Sequence, residues 1–539
     1  MPPAPLAMLA AAGIPAVVAA MALMSPNTVF SKVMAQDLLF NLSGAWHVYV
    51  GHVPHVDFHD PSGRLSFLLT AIGFHLVGPG PLAFLVNVAI ATALLFAASF
   101  LTAIRRLPLL PAALFVVFCT LLALMPANVG DRPDEYTFAM SYNRYGWCAY
   151  GILALILFVR PLRGRHTTLI DLAVAAGLLA MMFYLKITYF LAGLATVVFA
   201  VIVHTHVRRA WRAWLVLVAL LVANALAPYN QPYVGDILSW LTSGAVRNGL
   251  ALHLGNFIAA IGLYAPYLAT IVISSWMWIL GRSSWRFPLT LVFLFVMSLA
   301  LLSQNAQTVG LPTGAVMLLV LYDQLRRRFA PARNRDIAPF LLTVLAFPFF
   351  EVSCFAASIA GYHANASRNG GVYVVDRTKL QGLAVPEQRG TFLSFSRSFD
   401  YPTPLSGPAT PPRYQLTDYE YLHVLLQAAE LLEPKPAGGI ALFDSINPLP
   451  FMLGREPPRG VNLWSTWNAP VRPANAYLAD VRYVLVPKFS LNPGWSEDLM
   501  RLYGPYLAEH FTRSAETSAW ILLTRDDNSQ AVSERQSPM

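Results

Sequence analysis

Long apolar stretches alternate with short loops along the first two thirds of this chain, and arginine clusters at every second loop. Apolar runs fall near 6–24, 80–104, 107–126, 144–160, 169–185, 187–204, 213–228, 250–280, 287–303, 310–325 and 337–359. A helix needs about 20 apolar residues to cross a bilayer, so the pattern predicts about eleven spans, with the two ends on opposite sides. The composition agrees, at 56% hydrophobic and 12% charged residues. Soluble domains carry about 25% charged residues. A water-soluble enzyme, a disordered chain and a fibrous protein are excluded.

The loop charges set an expected orientation. Fifteen arginines, at 105–106, 160–165, 208–212, 282–286 and 326–335, fall on one set of alternate loops. The other set holds Lys32, Arg64, Arg132, Arg144, Lys186 and Arg247. Because basic loops remain in the cytoplasm, the N-terminus is expected inside and residues from 360 onward outside. The net charge of +9 belongs to the membrane half, since residues 360–539 hold 16 basic and 17 acidic residues. A nucleic-acid partner is therefore not expected. Cys119, Cys148 and Cys354 lie in apolar segments and read as small buried hydrophobes.

Two regions follow: 1–359, a transmembrane domain, and 360–539, a soluble extracytoplasmic domain expected to fold separately. The second region has strand-like runs at Gly371–Val375, Gly439–Phe443 and Arg482–Val486, and a helix-like stretch near Asp418–Leu432. This alternation predicts a small α/β fold.

The first outer loop, 25–78, is too organised for a linker. Ser31–Val50 and Ser66–Val77 have the pattern of helices lying in the membrane interface. The turn-rich Gly51–Gly63 between them holds His52, His55, His59, Asp57 and Asp60. These side chains offer nitrogen and oxygen ligands, but their spacing matches no closed metal site; no cofactor is expected, and a divalent metal stays open as the lesser alternative. Asn41 and Asn365 begin sequons of the glycosylation type, a triplet common by chance.

Asp37, then Gly51-His52-Val53-Pro54-His55-Val56-Asp57-Phe58, then the short helix ending at Gly78 form an ordered series. It resembles the GT-C superfamily of polyprenyl-phosphate-sugar-dependent glycosyltransferases, in particular bacterial members related to protein mannosyltransferases. Those proteins carry an acidic residue soon after the first span, followed by a Gly-x-x-Pro-aromatic-x-Asp-Phe segment. This chain departs in having Leu38 after Asp37, where many members have a second acid, and His55 in the aromatic position.

The resemblance implies catalytic roles for Asp37 and for Asp57 of the matched segment, and an acid of the second outer loop (127–146), Asp131 or Asp134, facing Asp37 across a cavity. It also implies a phosphate ligand in the 169–204 hairpin, where Lys186 stands. Arg144 and Arg247 are alternatives, since a guanidinium fork suits phosphate. Asn41, His55, Gln304 and Asn305 are candidates for acceptor or sugar binding, and Trp464 and Trp467 for stacking on a ring.

The function expected is transfer of a sugar from a polyprenyl-phosphate donor to an envelope glycan, lipid or protein, by an inverting enzyme of a bacterial cytoplasmic membrane. A transporter or flippase for a lipid-linked intermediate is the alternative, but its ionisable groups should lie near mid-membrane. Here most acids of the membrane half lie in loops. A non-catalytic envelope-assembly protein is a third reading.

Overall fold

The computed structural model describes residues 4–526 except 165–166, 244–256, 259–260, 304–309, 312, 329–333, 369, 388–415, 466–468 and 492. The protein is a polytopic helical membrane protein. In chain order its first elements are α1 (Pro5–Met24), β1 (Val29–Phe30), α2 (Ala35–Tyr49), β2 (Phe58–His59), α3 (Leu65–Val77), α4 (Leu82–Arg106), α5 (Leu109–Leu124) and α6 (Ser141–Phe158). Then come α7 (Leu169–Leu185), α8 (Ile187–Val203), α9 (Thr205–Arg208), α10 (Trp211–Ala225), α11 (Gln231–Ser243), α12 (Ile261–Ile279), α13 (Arg286–Leu302), α14 (Gly314–Arg328) and α15 (Asn334–Ala366).

Among the described residues, α1, α4 and α12 are each long and apolar enough to cross a membrane. A fourth apolar rod is broken by a 63° bend between α10 and Pro228–Ser243, where proline's missing N–H interrupts the helical ladder. Five shorter apolar helices, α3, α5, α7, α8 and α13, pack among them. Arginine gathers at one end of this bundle. Arg105 and Arg106 in the last turn of α4 both grip Asp171 in the first turn of α7, at 3.1 and 2.8 Å. Arg327 donates to the carbonyl of Arg160 at 2.9 Å.

The opposite end carries the rest of the chain: β3 (Val372–Val374), β4 (Leu383–Pro386), α16 (Asp418–Leu432), β5 (Gly439–Leu442), α17 (Leu449–Leu453), β6 (Val461–Asn462), α18 (Ala474–Tyr477), β7 (Val481–Pro487), α19 (Pro493–His510), β8 (Phe511–Glu516) and β9 (Trp520–Arg525). The main sheet has the order β5-β7-β9-β8, with β5–β7 parallel and the other pairs antiparallel. Two smaller sheets cross from one region to the other. β1 pairs in parallel with β4, and β2 with β6.

The expected division at 359/360 falls inside α15, whose buried Ile359 and Tyr362 lie on either side of it. The Tyr362 hydroxyl accepts from the Phe30 N–H at 3.2 Å. One apolar core then runs without interruption from Met8 in α1 to Leu425 in α16 and Trp520 in β9. A second core joins Phe58 and Phe67 to Phe443 and Leu463. The membrane bundle and the tail therefore share their interiors.

Candidate active site

Three helices begin at one place on the tail-bearing end. α2 starts after Met34, which adopts a left-handed conformation at φ 59° and supplies no side-chain cap. α6 starts the same way after Met140, at φ 48°. α16 is capped in its own sequence, because Thr417 and Glu420 satisfy each other's backbone N–H groups. Its first residue, Asp418, reaches across to accept the Ala35 N–H of α2 at 3.3 Å. A tail carboxylate thus caps a helix of the first loop. The exposed N–H groups of helix starts favour negative charge there.

Asp37 lies in the first turn of α2. The residue keeps partial exposure, yet its Oδ1 atom is buried and has no hydrogen-bond partner. Burial pushes its carboxyl up to about 7, partly offset by the Met140 backbone N–H. Asp418 is almost fully buried, and burial likewise pushes it up to about 7, opposed by the Ala35 N–H and reinforced by the charge of Asp37. Two neighbouring carboxyl groups sharing a desolvated site do not both ionise readily. Burial therefore holds both carboxyls protonated well above the usual carboxylate range.

A third acid lies in the same neighbourhood. Asp60 is buried and accepts from the Ser62 N–H at 2.7 Å. Burial raises its carboxyl to about 6. The Tyr142 hydroxyl, from α6, lies in the fields of both Asp37 and Asp60. Lys186 occupies the extended joint between α7 and α8, with its ammonium 5.8 Å from the centre of the Tyr142 ring. Burial lowers this amine to about 8, with Asp60 opposing.

Gly63 makes this neighbourhood possible. Its N–H donates to the Leu185 carbonyl at 2.8 Å, and a Cβ there would stand 2.1 Å from the Tyr184 carbonyl oxygen. Only glycine lets the turn lie against the end of α7, beside Lys186.

The other candidates from the first loop hold structure together. Asp57 accepts from the Val53 N–H at 2.7 Å, closing the turn, and faces Arg459 of the tail at 3.4 Å. Asn41 spends its amide on Ser66 at 2.7 Å and accepts from Thr70 at 2.6 Å, tying α2 to α3. His55 has φ 68°, is buried, and meets Asp236 of α11 at 3.0 Å. His59 meets the other oxygen of Asp236 at 2.7 Å. The bend after α10 thus carries an acid back over the loop, where it holds two of the three histidines. The third, His52, pairs with His47 at 3.0 Å.

In the second loop, Asp131 is exposed, with no contact to Asp37 among the described residues. Lys32 reaches Asp134 at 2.9 Å. Arg144 is fully buried, and its Nη1 donates to the Ala127 carbonyl at 3.0 Å, pinning the loop to α6. Arg247, Gln304, Asn305 and Trp467 lie outside the described residues. Trp464 packs edge-on against Phe40 of α2, ring centres 5.6 Å apart.

Sequence reasoning did not find Asp418 or Asp236 and set Asp60 aside. The capping-box spacing Thr417-x-x-Glu420 marks the start of α16 in the sequence. Its approach to α2, across 383 residues, leaves no local trace.

Solved structures with a similar course exist. ArnT from Cupriavidus metallidurans in the apo state has a TM-score of 0.49 at 11% identity, covering 96% of this chain and 98% of that one. The same protein bound to undecaprenyl phosphate has 0.49 at 12%, with the same coverage. An Archaeoglobus fulgidus oligosaccharyltransferase, complexed with zinc and sulfate, has 0.41 at 12% identity, covering 88% and 67%. These neighbours are GT-C proteins. No family model and no curated protein sequence matches the chain.

Proposed function

We propose that this protein is an inverting membrane glycosyltransferase. It would transfer a sugar from a polyprenyl-phosphate donor to an envelope glycan, lipid or protein at the outer face of a bacterial cytoplasmic membrane. The observation that carries this reading is Asp37: a desolvated carboxylate with a free oxygen, poised near neutrality at a convergence of helix starts.

In this reading an acceptor hydroxyl hydrogen-bonds to Asp37 Oδ1. Its oxygen attacks the anomeric carbon as the bond from that carbon to phosphate oxygen breaks on the opposite face. The proton passes to Asp37, and the polyprenyl phosphate leaves with the bonding electrons. A single displacement inverts the anomeric centre. The Lys186 ammonium meets the charge developing on the phosphate, and Tyr142 stands between base and cation.

Burial sets the proton affinity of Asp37, and Asp418, whose carboxyl feels its charge, holds the start of α2. Gln36, fully buried and with neither amide atom partnered, supplies hydrogen bonds for the acceptor. Purified protein offered a panel of labelled polyprenyl-phosphate sugars tests the reading. Transfer or hydrolysis of one of them, lost in Asp37→Asn, supports it. Turnover of none, by protein that binds polyprenyl phosphate, would sink it.

A further inference from the structure

We propose that the tail carries a binding groove for the phosphodiester headgroup of a net-anionic lipid, separate from the carboxylate site. A groove of about 480 Å³ opens between the segment after β3, the C-terminal half of α16 and the end of α17. Its polar lining is Arg377, Thr378, Lys379, Glu430, Glu433 and Arg455. That volume is within the range of small-molecule sites, about 300–1,000 Å³.

The lining charges are not equivalent. Arg377 is paired with Glu430. Arg455 spends its guanidinium on the carbonyls that end α16, reaching Leu432 at 2.7 Å and Lys435 at 2.8 Å. Lys379 makes no hydrogen bond or ion pair within the described residues. Its ammonium lies 5.3 Å from the centre of the Trp46 ring. A cation against an aromatic face, beside an open groove, is free to meet an anion.

The backbone supports the same conclusion. Thr378, between the two basic residues, has φ 60°. A β-branched residue rarely adopts that conformation, and such strain concentrates where a ligand is clamped. Glu433 on the opposite wall suits hydroxyl groups on the outer part of the headgroup.

The surroundings indicate that the phosphate arrives on a lipid. Trp46 stacks on Tyr49 at 5.3 Å and meets Phe74 of α3 edge-on at 6.3 Å. Leu68, Ile72 and Leu76 form an exposed apolar stripe at four-residue spacing along α3. Gly80, in the turn after α3, lies against the Lys379 backbone, where a Cβ would be 3.7 Å from its carbonyl oxygen. Acyl chains can lie along α3 while the headgroup enters the groove. The groove is roughly 18 Å from Asp418, twelve residues along α16 at about 1.5 Å each, so it is not the reacting centre.

The test uses the full chain in detergent, titrated with dihexanoyl phosphatidylglycerol, dihexanoyl phosphatidylcholine or inorganic phosphate, with bound adducts read by native mass spectrometry. One saturable phosphatidylglycerol should bind, at least about tenfold more weakly in Lys379→Glu. Lys379→Arg, which keeps the charge, should bind within about threefold of the parent at an unchanged melting temperature. Asp37→Asn should bind as the parent does, so the groove and the transfer reaction stand or fall separately. Equal binding of phosphatidylcholine, equal binding by Lys379→Glu, or phosphate binding at the same low concentration would each overturn the proposal.

Discussion

Asp37 and Lys186 need opposite protonation states in the proposed reaction, and their environments separate them by little. Asp37 must be ionised, so activity should rise as pH passes about 7. Lys186 must be charged, so it should fall as pH passes about 8. A plot of kcat/KM against pH should be a narrow bell between those values. Asp37→Asn keeps the shape but removes the proton acceptor, and should cost about 10²–10⁴-fold in kcat. Asp418→Asn removes a charge beside the base. It should move the acid limb down by roughly one pH unit while activity persists at its optimum. An unmoved limb would mean that Asp418 only caps α2. The two aspartates of the turn separate in the same assay: Asp60→Asn should reduce turnover by tenfold or more, at about 1.4 kcal/mol per decade, because Asp60 neighbours Lys186. Asp57→Asn, which keeps an acceptor for the Val53 N–H, should change turnover by less than about threefold.

At the level of elements, the turn 51–63 is held from three sides: by Asp236 through His55 and His59, by Arg459 through Asp57, and by the α7 end through Gly63. Gly63→Ala forces a methyl group into the Tyr184 carbonyl. It should destabilise the protein by about 1–3 kcal/mol, read as a lower melting temperature in detergent, and should weaken activity by shifting Asp60 from Lys186. These elements were only partly legible in the sequence. The apolar periods gave the helices, and the loop's own pattern placed α2, α3 and the intervening turn. The strands β1 and β2 were not visible, because two residues carry no alternation. Nor was the use of the histidines, since their partner Asp236 lies 177 and 181 residues away. Spacing arguments reach as far as one helix or one turn, and this site is assembled across several.

On the scale of the whole molecule, the tail contributes to structures begun near the N-terminus. Residues 360–539 expressed alone would lack the β1 partner of β4, the β2 partner of β6, the α2 and α3 side of two cores, and all of α15 before residue 360. Such a fragment should show no sharp thermal transition. A cooperative melt would show that the main sheet and its helices form an independent core after all. Composition marked this region as different because its charge is balanced, and that reading concerned solvent, not packing partners.

The cap on α2 has a consequence for synthesis. A ribosome releases Ala35 hundreds of residues before Asp418, which accepts its N–H. At about 5–20 residues per second, the first loop emerges tens of seconds ahead of the segment that completes it. Until then α2 begins without a side-chain cap, and β2 still awaits β6. A chain interrupted between the end of α15 and residue 418 would hold the bundle helices yet lack the cap on α2. In the proposed enzyme, the order of translation would thus act as a proofreading step, withholding transfer from any product that stops short of Asp418.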